Sequence, residues 1–184
     1  MKLNKIMIAA AAVLAFGASS MMAQAANTGK VHFEGSIAKA ACSMDQKSVE
    51  QTVKMGQIGD SSLLNGRDSA VKTPFDIVLR DCILPDAPTE TAMTITFNGL
   101  KGVKDDMLQF GPMSTAKNAG VVISHGADTV KLGTPINIGV LKAGADTEYT
   151  LNFTSHLRGN GDDKNKPIQA GTFFSTANFI VNYN

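Results

Sequence analysis

The fourteen C-terminal residues, Gly171 to Asn184, constrain the fold more than any other stretch of the chain. Gly171, Phe173, Ser175, Ala177, Phe179, Val181 and Tyr183 share one parity. Alternation over so long a run predicts a β-strand with one buried face. No further strand follows in the sequence to cover its second hydrogen-bonding edge. A long apolar edge left open is an association hazard that ordinary soluble domains avoid. The expectation is therefore a strand that waits for a strand from another molecule.

The N-terminus supplies a partner for that expectation. Met1 to Ala25 has the layout of a secretory signal: Lys2 and Lys5, an apolar run from Ile6 to Phe16, then a small-x-small site at Ala23-Gln24-Ala25. The run falls short of the roughly 20 residues a membrane helix needs. Residues 1–25 are thus expected to be removed on export, leaving Ala26 to Asn184 with no membrane anchor.

Loss of Lys2 and Lys5 brings 17 basic and 16 acidic residues close to balance. A near-neutral chain lacks the basic excess that nucleic acid or an anionic membrane would select. Trp is absent and aromatics are 6% of residues, which leaves little for a sugar-stacking site. The two cysteines, Cys42 and Cys82, are expected to form a disulfide in an oxidising compartment. Closing that loop of about 40 residues is worth roughly 4 kcal/mol on a chain-entropy model. The rival, a metal site, would need more ligands than these and three scattered histidines supply.

The rest of the chain reads as short strands with turn punctuation. Val31 to Ile37 alternates, as do Val53 and Met55 ahead of Gly56. Phe75, Ile77 and Leu79 form a half-buried strand. Cys82 lies on the opposite parity, so the strand should bulge or end before it. Met93, Ile95 and Phe97 form another strand, closed by Asn98-Gly99. Val121 to Ser124, His125 to Asp128 and Val130 to Leu132 read as a hairpin. Tyr149, Leu151, Phe153, Ser155 and Leu157 alternate ahead of the polar loop Arg158 to Pro167. Lys104 to Gln109 has room for a helical turn or two, and no longer helical stripe is present. Long loops are expected around Leu84 to Thr91 and Asn160 to Lys166. The pattern predicts an all-β antiparallel sandwich.

No catalytic constellation emerges, so no enzyme and no cofactor are expected. His32, His125 and His156 are dispersed. No nucleophile elbow, phosphate-cradling glycine loop or paired zinc-binding histidines occur. Asp162-Asp163, flanked by Lys164 and Lys166, and Asp105-Asp106 read as solvated turns.

Four segments carry a resemblance to a known family. They are Gly29-Lys-Val-His-Phe-Glu-Gly-Ser-Ile-Ala-Lys-Ala-Ala-Cys42, Gln51-Thr-Val-Lys-Met-Gly-Gln-Ile58, the run Phe75-x-Ile-x-Leu-x-Asp-Cys82, and Gly171 with the penultimate Tyr183. In this order they resemble the chaperone–usher fimbrial subunits, particularly the type 1 major pilins. The resemblance implies an incomplete immunoglobulin-like antiparallel sandwich lacking its final strand, completed by donor-strand exchange. It implies three parts: a signal peptide at 1–25, a donor extension at 26–37 and a pilin domain at 38–184. It also implies an acceptor and chaperone-recognition strand carrying Gly171, Phe173, Phe179, Val181 and Tyr183.

The residues of the extension fit that role. Gly29, Val31, Phe33, Gly35 and Ile37 share one parity over about 27 Å, at about 3.3 Å per residue. Val31, Phe33 and Ile37 would plug a groove, and burying them is worth on the order of 5 to 9 kcal/mol. Gly35 would sit where the groove is shallow. The alternative is that Val31 to Ile37 is the first strand of its own domain.

The implied partners are identical or related pilin subunits, a periplasmic chaperone and an outer-membrane usher. The implied location is a fimbrium on the bacterial surface, reached through the periplasm, where the fibre supports adhesion. A minor adaptor or terminator subunit of the same system is the runner-up reading. A secreted, complete β-sandwich binding module is a distant third.

Overall fold

The computed structural model describes residues 29–84, 90–144 and 148–184. The signal assigned to 1–25, the start of the extension at 26–28 and most of the loop expected at Leu84 to Thr91 lie outside the described residues. The chain divides between Ile37 and Ala38 into two units.

Residues 38–184 carry β1 (Ser43–Met44), α1 (Gln46–Val49), a 3₁₀ stretch (Asp60–Gly66), β2 (Thr73–Arg80) and β3 (Glu90–Gly99). Then follow β4 (Leu108–Gln109), β5 (Ala119–His125), β6 (Asp128–Thr129), β7 (Ile136–Lys142), β8 (Tyr149–Gly159) and β9 (Ala177–Tyr183). One sheet runs β1-β2-β8-β5-β4, with β6 also on β5, and the other runs β7-β3-β9. Every pairing is antiparallel. The two sheets bury their facing sides against each other, as alternating strands must.

The alternation places the core as expected. Ile77 and Leu79 of β2, Met93, Ile95 and Phe97 of β3, and Leu151, Phe153 and Leu157 of β8 are buried. Phe97 meets Phe153 edge to face at 5.1 Å between ring centroids, and Phe153 stacks on Phe75 at 5.5 Å. β2 ends at Arg80, and Asp81 takes a φ of 49° that turns Cys82 inward. Cys82 is bonded to Cys42, and both are buried.

Four expectations are corrected. Val53 and Met55 belong to no strand; they are half-buried on an extended segment without a ladder. Lys104 to Gln109 forms turns leading into β4 and no helix. The second arm of the hairpin is two residues, Asp128–Thr129, with Val130 and Leu132 buried beyond it. The final strand is shorter than its alternation suggests. β9 begins at Ala177, while residues 171–176 leave the sheet and bond instead to residues 109–116: Gly111 N–H to Phe174 O at 2.7 Å, and Ala116 N–H to Thr172 O at 2.9 Å.

Two acidic pairs placed in solvated turns are also engaged. Asp106 is ion-paired to Arg158 at 2.7 Å, and Asp163 accepts the backbone N–H of Asn65.

Candidate functional site: a groove along the C-terminal strand

β9 pairs with β3 on one edge, and among the described residues nothing pairs with its other edge. In β9 and the segment before it, Phe173, Ser175, Ala177, Phe179, Val181 and Tyr183 are half-buried, while Thr172, Phe174, Thr176, Asn178, Ile180 and Asn182 are exposed. The parity read from the sequence is therefore the parity of the structure, but the inward face is only partly covered.

A groove of ≈ 1370 Å³ opens beside the first residues of this strand, Ala177 to Phe179, and the segment before it. Residues 168–179 form one wall and residues 48–60 the other. Phe75, Phe97, Leu108, Phe110, Val121, Ile123 and Leu157, from both sheets, form its floor. The interior of the sandwich is thus reachable between residues 168–179 and residues 48–60. A strand placed there would cover the floor and find ladder partners on β9.

The acceptor residues named from the sequence separate into two groups. Gly171, Phe173 and Phe179 line the groove. Phe173 stacks on Phe110 at 4.9 Å, and Phe179 tilts against Phe97 at 5.9 Å. At Gly171 a Cβ would stand 2.7 Å from the Ala116 backbone N, so the close approach of residues 115–116 requires glycine there. Val181 and Tyr183 lie on the same inward face, beyond the groove lining, packed on the core. Burial pushes the Tyr183 phenol above its ordinary value, and a backbone hydrogen bond from Cys42 acts the other way.

The second wall was missed by sequence reasoning. Among the described residues no backbone–backbone hydrogen bond engages Gln51 to Ile58. Met55 and Ile58 pack on the core, and the Gln51 side-chain amide donates to Asp76 O at 3.1 Å. The alternation of Val53 and Met55 was the available signal. It marked a face, and the missing ladder is what makes the segment a wall.

Gly29 to Ile37 has no regular secondary structure. Val31 is 74% exposed, Phe33 91% and Ile37 fully. Three large apolar side chains in so short a segment are thus open to water, an unfavourable exposure. Gly29 and Gly35 have no atom within 4 Å of where a Cβ would stand, so neither glycine is demanded by its surroundings.

Of the histidines, His125 lies tilted against Phe153 at 5.0 Å between ring centroids, and its Nδ1 lies 3.0 Å from Asn152 O. His156 is buried in the outer face of β8, 3.4 Å from Asp68. Among the described residues no group of three or more His, Cys, Asp or Glu side chains is placed to hold a metal ion.

The class defined by these features is an antiparallel immunoglobulin-like sandwich with one strand edge and part of its interior left open. Residues 31–184 match the model of the Fimbrial protein family, and the chain belongs to that family of structural pilus subunits. It is 41% identical to the Fimbria A protein of Serratia marcescens, with 100% of this chain and 99% of the relative covered. It is 35% identical to the Major MR/P fimbria protein of Proteus mirabilis, at the same coverage. The fold matches that of a chaperone–usher pilus subunit with a TM-score of 0.68 at 24% identity, covering 86% of this chain and 96% of that one. It likewise matches the P pilus rod subunit PapA with a TM-score of 0.64 at 22% identity, covering 79% and 100%.

Proposed function

We propose that this chain is the repeating structural subunit of a fimbrial rod and joins its neighbours by donor-strand exchange. The unpaired edge of β9 above an open apolar groove carries the reading. The donor is Gly29 to Ile37 of the adjoining subunit, with Val31, Phe33 and Ile37 entering the groove and Gly29 and Gly35 crossing where the partner backbone comes close. Acceptor contacts come from Gly171, Phe173 and Phe179, with Val181 and Tyr183 anchoring the end of the strand. Segments 26–37 and 38–184 are then donor extension and pilin domain.

Before assembly a periplasmic chaperone fills the groove, and an outer-membrane usher passes the subunit to the fibre at the bacterial surface. The chain acts by assembly and not by catalysis. Relatives named as a major fimbria protein and a fimbrial major pilin favour the rod over a minor position.

Deleting Ala26 to Ile37 tests the donor assignment. The truncated subunit is expected to bind chaperone but to be absent from the interior of purified fibres, read by electron microscopy and mass spectrometry of the main band. Normal polymerisation of the truncated subunit would overturn it.

A further inference from the structure

We propose that Arg158, behind the floor of the groove, is a positioning residue that fixes the two groove walls at the spacing an incoming strand needs; this rests on the reading of the groove as a strand acceptor. Leu157 of β8 lines the groove, and Arg158, next in the strand, points to the opposite face of the sheet. Its side chain is only 13% exposed. Nε and Nη2 hold both carboxylate oxygens of Asp68, the second at 3.0 Å, while Nη1 donates to Asp106 Oδ2 at 2.7 Å. Such a fork fixes direction as well as charge.

Each carboxylate begins or ends a segment that leads to a wall. Asp68 closes the stretch Asp60–Gly66, which Arg67 braces by donating to Ser61 O at 2.9 Å and Leu64 O at 3.1 Å. The unladdered wall at Gln51 to Ile58 runs directly into that stretch, whose end is held to β8 by the guanidinium at Asp68 together with backbone bonds from Ser69 N–H to Leu157 O at 2.8 Å and from Gly159 N–H to Arg67 O at 3.1 Å. Asp106 precedes β4, where Gln109 O accepts the Ser175 hydroxyl at 3.0 Å and thereby ties down the opposite wall. One guanidinium therefore grips both walls from behind.

The cluster has little slack. Among the described residues, Asp106 Oδ1 and His156 Nδ1 are buried without a hydrogen-bond partner, and His156 Nε2 lies 3.4 Å from Asp68 Oδ2. Without the guanidinium the two carboxylates, Asp68 at 43% and Asp106 at 23% side-chain exposure, would lose the cation they share and the link between the two segments. Once a strand fills the groove, its ladder holds the walls directly, and the rear grip matters less. The clamp should therefore govern entry of the strand more than its retention.

The test uses the full, disulfide-bonded subunit and a fluorescent synthetic peptide of residues 26–40, followed by stopped-flow anisotropy. Arg158→Lys, which keeps the charge and loses the fork, is expected to slow association per folded subunit by about tenfold, with dissociation nearly unchanged. Asp106→Asn, which leaves the fork on Asp68 intact, gives a smaller change of the same kind and serves if the first variant folds poorly. Unchanged association, or an effect confined to dissociation, would overturn the proposal. Failure of the wild-type subunit to take up the peptide would instead bring down the acceptor reading, and the clamp with it.

Discussion

β3 and β9 lie side by side in one sheet and alternate alike, yet they end in different states. Met93, Ile95 and Phe97 of β3 face Tyr183, Val181 and Phe179 of β9 in register. The first three are 2% exposed or less, and the second three are half-buried. β3 has a neighbour on each edge, whereas among the described residues β9 has one. Alternation thus reports which way side chains point, and the neighbour on the far edge decides whether they are covered. The half-burial of β9 is what its inward row shows with no neighbour on the far edge among the described residues.

Removing β9 should break the comparison outright. A chain ending before Phe179 leaves β3 with one neighbour and opens its buried row to water. It is expected to leave no soluble subunit in the periplasmic fraction, read by immunoblot. Stable accumulation as a soluble monomer would contradict the account.

Single rings sharpen it. Phe97→Ala should cost about 3 to 5 kcal/mol, as a fully buried phenylalanine does. Phe179→Ala, its cross-strand partner, should cost about 1 kcal/mol in the isolated subunit, roughly half of what full burial contributes. Both follow from urea unfolding. Equal losses would mean that Phe179 is already covered without a neighbour.

The smallest effect concerns the closed side of the molecule. Burial holds the His156 imidazole below its ordinary 6.5, more than Asp68 raises it. Above that value both folded and unfolded chains carry a neutral ring. As pH falls through it the unfolded chain takes a proton first, and stability is lost until the folded ring also protonates. His156→Gln should flatten the stability profile below pH 6.5, measured by urea titration at several pH values. Asp68, held below its ordinary 3.8 chiefly by hydrogen bonding to Arg158, adds a loss of the same sign only in more acidic solution.

Much of this was legible in the residues. The faces of β2, β3, β8 and β9, and the kink that brings Cys82 to Cys42, follow from period-two alternation and the parity of one cysteine. β7 was not legible, because a register shift at Gly139, whose φ is +136°, breaks its alternation. Ile136 and Ile138 therefore face the core on one parity and Leu141 on the other. Asp106 looked solvated because its partner Arg158 lies 52 residues away and was read as the start of a polar loop, whereas β8 extends through it to Gly159. The wall at Gln51 to Ile58 was legible as a face. Its lack of a ladder is a tertiary property that no local pattern encodes.

Amide hydrogen exchange along Ala177–Tyr183, with and without a peptide of residues 26–40, tests the open acceptor edge most directly. The β9 amides directed away from β3 should exchange fast in the isolated subunit and become protected when the peptide is added. Protection before the peptide arrives, or fast exchange that persists at saturating peptide, would contradict it.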